Sequence, residues 1–323
     1  VEIVVDFSEL AVMGLVEVLK RYREIKVIFN RVIALLKQQR PDLLVLVDYP
    51  GFNLKLAKEA KKLGIPVLYY ISPKVWAWRK GRVKTIKKVV DHMAVLFPFE
   101  VPIYQEQQIS VNCVGHPLVD AVVRNFSTEE AKRSLNIDPK QKVLGLFPGS
   151  RRSEVEVLLP LMIKAAERIV AKHANIEVVL PLAPGLNTSV IDTILAETQL
   201  PIKVVSEDFY DLTSACDAIV AASGTVTLEI ALLGVPHFII YRVSPLTYKI
   251  LRRLVKIPYV GLCNIVTGKG LVTELLQDDV TVEHIEQELL DRLERLDSKE
   301  VAEEVRQKVL TALGPSGGAK NVA

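Results

Sequence analysis

Short runs of apolar, often β-branched residues recur along the chain, each followed by a segment of helical periodicity. That alternation constrains the fold more than any other feature. The runs are Leu43–Val47, Val67–Ile71, Met93–Phe97, Val111–Val114, Lys142–Phe147, Glu177–Leu180, Lys203–Val205, Ala218–Ala221 and His237–Tyr241. Amphipathic stretches such as Leu54–Leu63, Glu154–Lys172, Ser189–Glu197 and Thr225–Leu233 lie between them. Runs that are apolar throughout are buried on both faces, and strands separated by helices pair in parallel. The expected class is α/β and doubly wound.

A chain of 323 residues is comfortable for two such domains. The polar stretch RNFSTEEAKRSLNIDPKQK, with a Ser127/Thr128 helix cap and an Asp-Pro stop, precedes a fresh strand-loop-helix unit, KVLGLFPGSRRSEVE. Expected boundaries are therefore 1–125 for a first domain, 126–295 for a second, and 296–323 for a helix and tail, with GPSGGAKNVA frayed at the end. The chain opens on Val in mid-pattern and reads as a fragment of a longer protein.

With 50% hydrophobic and 24% charged residues the chain is globular. Its net charge of +3 is spread among acids, which argues against nucleic acid as a partner and is compatible with an anionic membrane surface or a phosphorylated substrate. Cys113, Cys216 and Cys263 have no metal-ligand spacing and read as free buried thiols in a reducing compartment. No uncharged apolar run reaches the roughly 18 residues of a membrane span.

In open α/β sheets ligands bind beyond the carboxyl ends of strands. After Leu43–Val47 comes VDYPGFN, where Asp48 can take a proton from a hydroxyl nucleophile. The competing reading is a loop carboxylate, with Asn53 better spaced to cap the next helix. After Lys142–Phe147 comes PGSRRSEVE: Gly149 allows close backbone approach, Ser150 belongs to the same anion-binding turn, Ser153 and Glu156 have capping-box spacing, and Arg151 and Arg152 add cations. After Ala218–Ala221 comes ASGTVTLE, in which Ser223, Gly224 and Thr225 lead into a helix and Glu229 suits a ribose diol. The plainer reading there is a structural turn with Glu229 paired to a cation such as Arg242. Two anion-cradling turns without G-x-G-x-x-G point to a nucleoside diphosphate rather than a dinucleotide. No Asp-x-Asp occurs, so neither a metal nor another cofactor is expected. The combination describes a two-domain, metal-independent glycosyltransferase with the sugar nucleotide in its C-terminal half.

The ordered motifs ELAVMGLVEVL, VDYPGFN, YYISPKVWAWRKGRV, FPFE, VGHPLVD, LFPGSRRSEVE, ASGTVTLE and YVGLCNIVTGKGLVTELLQ, spanning Glu9 to Gln277, resemble the lipid-A-disaccharide synthases. The resemblance implies a glycosyltransferase B fold, two Rossmann-like domains facing a cleft. It implies inverting transfer from UDP-2,3-diacylglucosamine to the 6-hydroxyl of 2,3-diacylglucosamine 1-phosphate, with release of UDP and no metal. It places Asp48 on the family's essential aspartate, the general base, and Arg151 on its essential arginine, at the diphosphate. Asn264 falls on its functional asparagine near the nucleotide, and Ser223, Gly224, Thr225 and Glu229 on the nucleotide turn. It implies work at the cytoplasmic face of the inner membrane of Gram-negative bacteria, as a peripheral protein, and leaves a homodimer open. The family's leading strand and Gly-Glu-Thr-Ser-Gly-Asp loop are absent here, so the first domain is expected to lack its leading strands, to expose apolar sheet surface and to turn over little. Rival readings are another UDP-sugar enzyme of the fold, of the peptidoglycan glycosyltransferase or UDP-N-acetylglucosamine 2-epimerase type, or a non-catalytic membrane-surface module.

Both tryptophans, Trp76 and Trp78, sit in the basic loop ISPKVWAWRKGR with Ser72 and Arg79. The loop follows a strand at the same sheet edge as Asp48, which suggests a wall of the acceptor side, with one indole available as a wedge. His116 either faces the same site or is satisfied in the crossover. The stretch VMGLVEVLKRYREI has one broad apolar face beside Lys20, Arg21 and Arg23, the pattern of an interfacial helix.

Overall fold

The computed structural model describes Ile3 and residues 22–78, 80–124, 126–186, 188–206, 208–254 and 257–322. Arg79 and most of the expected interfacial stretch, residues 12–21, lie outside the described residues. The chain divides into two compact units: one runs to Val114 and takes in the last four residues, the other spans Gly115–Ala319.

The first unit is a parallel sheet of β1 (Leu44–Val47), β2 (Val67–Tyr70), β3 (His92–Val95) and β4 (Ser110–Cys113), in that spatial order. Parallel neighbours need crossovers, here the helices Pro50–Lys62, Arg82–Val89 and Val101–Gln105. Because crossovers share one hand and the strands advance in one direction, these helices gather on one face. Their buried side chains form one core with the helix Tyr22–Gln39, including Ile28, Phe52, Ala57, Ile86 and Tyr104. On β1, Leu46 points into that core, while Val45 and Val47 on the other face are 47% and 50% exposed.

The second unit holds six parallel strands, β5 (Lys142–Phe147), β6 (Ile176–Pro181), β7 (Ile202–Val205), β8 (Ala218–Ala222), β9 (His237–Tyr241) and β10 (Glu274–Leu276), in the order β10-β9-β8-β5-β6-β7. Side chains alternate across it as the pleat requires. Leu144, Leu146 and Val220 face the helices Arg152–Lys172 and Val282–Glu294, whereas Val143, Phe147 and Ile219 face the helices Thr128–Ser134, Phe209–Ala215 and Val226–Leu233. Gly145 permits that second packing: a Cβ there would lie 2.7 Å from the Phe147 ring and 3.0 Å from Cys216 Sγ.

Sequence periodicity predicts most of these elements but not β10, a three-residue strand without β-branched residues that pairs only with β9. The expected frayed tail is instead tied down. The Asp120 carboxylate accepts from the amides of Gly317 (2.8 Å) and Gly318 (3.2 Å), and Gly318–Val322 is helical. Two helix starts also differ. The helix after β1 begins at Pro50, not Leu54, and Asn53 donates its amide to the carbonyls of Val47 (3.0 Å) and Asp48 (2.8 Å) instead of capping. The helix after β5 begins at Arg152, which places Ser153 inside it and leaves the expected capping box unformed. Glu156 pairs with Arg152 at 2.7 Å. The Ser127 cap forms as expected, with Glu130 completing its box.

At the amino end of β5 a buried ion pair pins the sheet. Lys132 Nζ donates to Asp217 (2.7 Å) and to the Gln141 carbonyl (2.7 Å), and Asp217 also accepts from the Val143 amide (3.0 Å). Both side chains are only 5% exposed, whereas Lys299, 3.7 Å from the same carboxylate, is 63% exposed. Removing one member of a buried pair leaves the other charge uncompensated. Asp217→Ala should therefore cost about 3–5 kcal/mol in urea unfolding. Lys299→Ala should cost less than about 1 kcal/mol in the same measurement.

Candidate functional site

Within the second sheet the chain works outward from β5 through β6 to β7, then returns to lay β8 on the other side of β5. The loops leaving β5 and β8 therefore part to opposite faces and open a crevice at the carboxyl edge. Gly149 occupies the left-handed region at φ +101°, and a Cβ there would sit 2.6 Å from Glu154 Oε2 and 3.4 Å from the Ala222 Cβ at the end of β8. Glu154 thus folds over the glycine and holds Arg151, whose guanidinium donates to it at 2.7 Å and is 60% exposed. Arg151 is the N-cap of the helix Arg152–Lys172 and gives it no side-chain cap. Among the described residues the amides of Gly149, Ser150, Arg151 and Ser153 have no acceptor.

Across the crevice, Ser223 is fixed by its amide to the Ile240 carbonyl (3.1 Å) and its hydroxyl to the Val260 carbonyl (2.8 Å). Gly224 and Thr225 are exposed, and Thr225 caps the helix Val226–Leu233 through its backbone alone. The turn after β8 therefore presents a second set of uncapped amides, as an anion requires. Glu229 lies one turn further on, half-buried, and accepts from the Tyr210 hydroxyl at 3.2 Å. Burial raises its carboxyl above the ordinary range, and the Tyr210 hydrogen bond opposes that. Arg242, the cation considered for it, donates instead to the Val280 carbonyl at 3.4 Å.

Asn264 is fully buried, and its amide group has no hydrogen-bonding atom to spare. Nδ2 donates to the Val272 carbonyl (2.7 Å) and Glu274 Oε1 (2.8 Å), and Oδ1 accepts from the amides of Leu271 and Val272 (both 3.0 Å). Glu274 in turn accepts from the amides of Val260 and Gly261 (both 2.9 Å). The loop so braced meets the turn after β8 twice, through Ser223 and through the Leu262 amide donating to Thr227 Oγ1 at 3.1 Å. All four hydrogen bonds of the Asn264 amide group stay within its own loop. Sequence reading missed Glu274, whose only signal was an acidic residue opening an inconspicuous strand.

In the first unit Asp48 sits at the end of β1 with its side chain exposed and without a hydrogen bond among the described residues. Its backbone is firmly held: the amide donates to the Tyr70 carbonyl (2.9 Å), and the carbonyl accepts from the Tyr69 hydroxyl (2.6 Å) and Asn53. Asp48, Tyr49 and Ile71 all lie at positive φ, 44°, 43° and 66°. Such non-glycine conformations cost on the order of 1–3 kcal/mol each and persist where the surroundings hold them. All three are at the carboxyl edge of this sheet.

The loop after Ile71 is stapled from below. Ser72, buried, shares a 2.6 Å hydrogen bond with the Tyr104 hydroxyl, and the half-buried Trp76 donates its indole N–H to Glu100 Oε1 at 3.1 Å while meeting Phe99 edge-on. Trp76 is the wedge, whereas Trp78 is 40% exposed with Arg82 5.9 Å from its ring. Glu100, in FPFE, was overlooked as a site residue. It is 2% exposed, and burial pushes its carboxyl up to about 7 against the opposing hydrogen bonds. His116 belongs to the second unit, where its Nδ1 accepts from the Leu118 amide (3.2 Å) at a helix start; burial lowers it to about 4, so the ring is neutral.

The sequence profile of the family described as lipid-A-disaccharide synthetase matches residues 1–320. The chain belongs to the lipid-A-disaccharide synthetase family. Lipid-A-disaccharide synthase of Trichlorobacter lovleyi is 46% identical over 322 residues, all of this chain and 84% of that protein. The Nitrosococcus oceani synthase is 49% identical over 308 residues, 95% of this chain and 79% of that protein. Among solved structures, UDP-N-acetylglucosamine 2-epimerase of Neisseria meningitidis, bound to UDP-N-acetylglucosamine, superposes with a TM-score of 0.62 at 14% identity, covering 92% of this chain and 79% of that one. MurG of Acinetobacter baumannii gives 0.53 at 15% identity, covering 88% and 74%. At such identity these neighbours share the glycosyltransferase B fold and no more. Membership in the synthetase family makes the chain a glycosyltransferase of the hexosyl-transferring kind.

For a member of the synthetase family the Asn264 brace is directly testable. Asn264→Ala leaves four polar groups of the loop without their partner and should cost about 2–4 kcal/mol of stability. Urea unfolding checks that loss, and calorimetry should show UDP affinity falling as the Val260–Leu262 loop loosens.

Proposed function

We propose that the chain transfers 2,3-diacylglucosamine from UDP to the 6-hydroxyl of 2,3-diacylglucosamine 1-phosphate with inversion, releasing UDP. The observation that carries the reading is the pair of uncapped turns, Gly149–Ser153 and Ser223–Val226, at the ends of adjacent strands β5 and β8. Bare amides at two helix starts suit the diphosphate, and Arg151 exchanges Glu154 for a phosphate oxygen as charge grows on the leaving group. Gly149, Ser150, Ser223, Gly224 and Thr225 let the phosphates approach the backbone. Glu229, oriented by Tyr210, accepts from the ribose hydroxyls.

Asp48 is the proposed general base, its exposed carboxylate carried on a backbone that Tyr69 and Asn53 keep rigid. Ser72, Trp76 and Trp78 belong to the acceptor side, with Trp76 fixing the loop and Trp78 offering its exposed face to sugar or acyl surface. His116, neutral and capping a helix, keeps the segment after β4 in shape.

Among the described residues no helix is long and apolar enough to cross a membrane. Peripheral contact with the inner face of the inner membrane is part of the proposal. The acyl chains of both substrates are costly to expose to water, and Trp78 stands exposed beside Lys74 and Lys80. Liposome flotation with anionic lipid should show binding at low salt that weakens at high salt. Absence of binding at low salt would remove this part.

Two substitutions separate the roles. Asp48→Asn should lower turnover by about 100-fold or more while calorimetry finds UDP affinity unchanged; equal losses in both would refute the base assignment. Arg151→Ala should weaken UDP binding by about tenfold or more and lower turnover with it. An unchanged UDP affinity would move the diphosphate away from this loop.

A further inference from the structure

Glu100 is a buried carboxylate with no cation beside it among the described residues, an expensive arrangement unless its donors are in place. They are. Oε1 accepts from Trp76 Nε1 at 3.1 Å and Oε2 from the Phe97 amide at 3.2 Å. Trp76 comes from the loop that Ile71 enters in a left-handed conformation unfavourable for a β-branched residue, and Ser72 of the same loop bonds the Tyr104 hydroxyl beside it. The aromatic contacts follow the same path: Trp76 meets Phe99 edge-on at 5.4 Å, and Phe99 stacks on Phe97 at 5.3 Å.

We propose that Glu100 is the positioning residue of the loop 71–82, fixing the indole of Trp76 and, through it, the wall against which the sugar acceptor lies. The second half of that statement rests on the reading of this loop as the acceptor side. The 97–104 segment reaches the loop side chains through Glu100, which accepts from Trp76, and through Tyr104, which bonds Ser72.

The anchor is sensitive to protons. Burial raises Glu100 from the ordinary 4.5 to about 7, so the folded loop favours the protonated acid, and its stability falls as pH rises through that window. The tyrosines beside it do not share the window: Tyr104 is pushed up to about 12 by burial, and Tyr69 behind it is raised further. Lys74 on the loop is exposed.

Both tryptophans of the chain lie in this loop, so tryptophan emission, excited selectively, reports on it alone. In a W78F background the Trp76 emission should follow a single protonation with a midpoint near 7 when pH is scanned from about 5 to about 9. Glu100→Gln, nearly isosteric, should remove that titration. Glu100→Ala should make Trp76 at least about twice as accessible to acrylamide, with far-UV circular dichroism as the control for folding. A flat emission in the parent, a titration that survives in E100Q, or unchanged quenching in E100A with the fold intact would each overturn the anchor. Binding of 2,3-diacylglucosamine 1-phosphate in detergent micelles should weaken about tenfold in E100A, with UDP affinity unchanged. If the fluorescence results hold and acceptor binding does not change, the anchor stands and the acceptor-wall half of the proposal falls.

Discussion

A parallel strand that runs into a helix delivers that helix's first amides to the carboxyl edge of the sheet, where they have no partners of their own. In the second unit this happens twice on adjacent strands, β5 and β8, and neither helix is capped by a side chain. The site depends on that shortfall. The surrounding structure keeps the two turns in register without filling them: the Lys132–Asp217 pair fixes the far end of β5, Gly145 lets the helix Phe209–Ala215 pack close, and Glu154 covers Gly149 while keeping Arg151 at hand.

The two units solve the problem of presenting chemistry at a sheet edge differently. The second presents bare backbone, held in shape by braces such as Asn264 and Glu274. The first presents side chains on strained backbone. Asp48, Tyr49 and Ile71 are in left-handed conformations, and the hydrogen bonds that offset the strain run to Tyr69, Asn53 and Tyr70 at one loop and to the Glu100–Tyr104 cluster under the other. Rigid placement of an exposed carboxylate, without a partner to quench it, is what a general base needs.

Structural likeness and sequence likeness say different things here. The epimerase and MurG share the fold at about one residue in seven, so the fold alone does not choose an activity. The synthetase relatives, near one residue in two over all or nearly all of the chain, do choose.

The sequence by itself determined the class, the run of strands and the two loops at β5 and β8, because apolar periodicity and glycine-rich turns are local signals. It also placed Asp48 at a strand end. It could not decide that Ser153 sits inside its helix, that Asn264 spends its whole amide on the loop, or that the tail is clasped by Asp120. Each of these depends on groups far apart in the chain meeting in space. Glu100 shows the reason most clearly: in FPFE it is one carboxylate among aromatics. Only the folding of the loop 71–78 over it removes water, raises its proton affinity and turns it into the partner of Trp76.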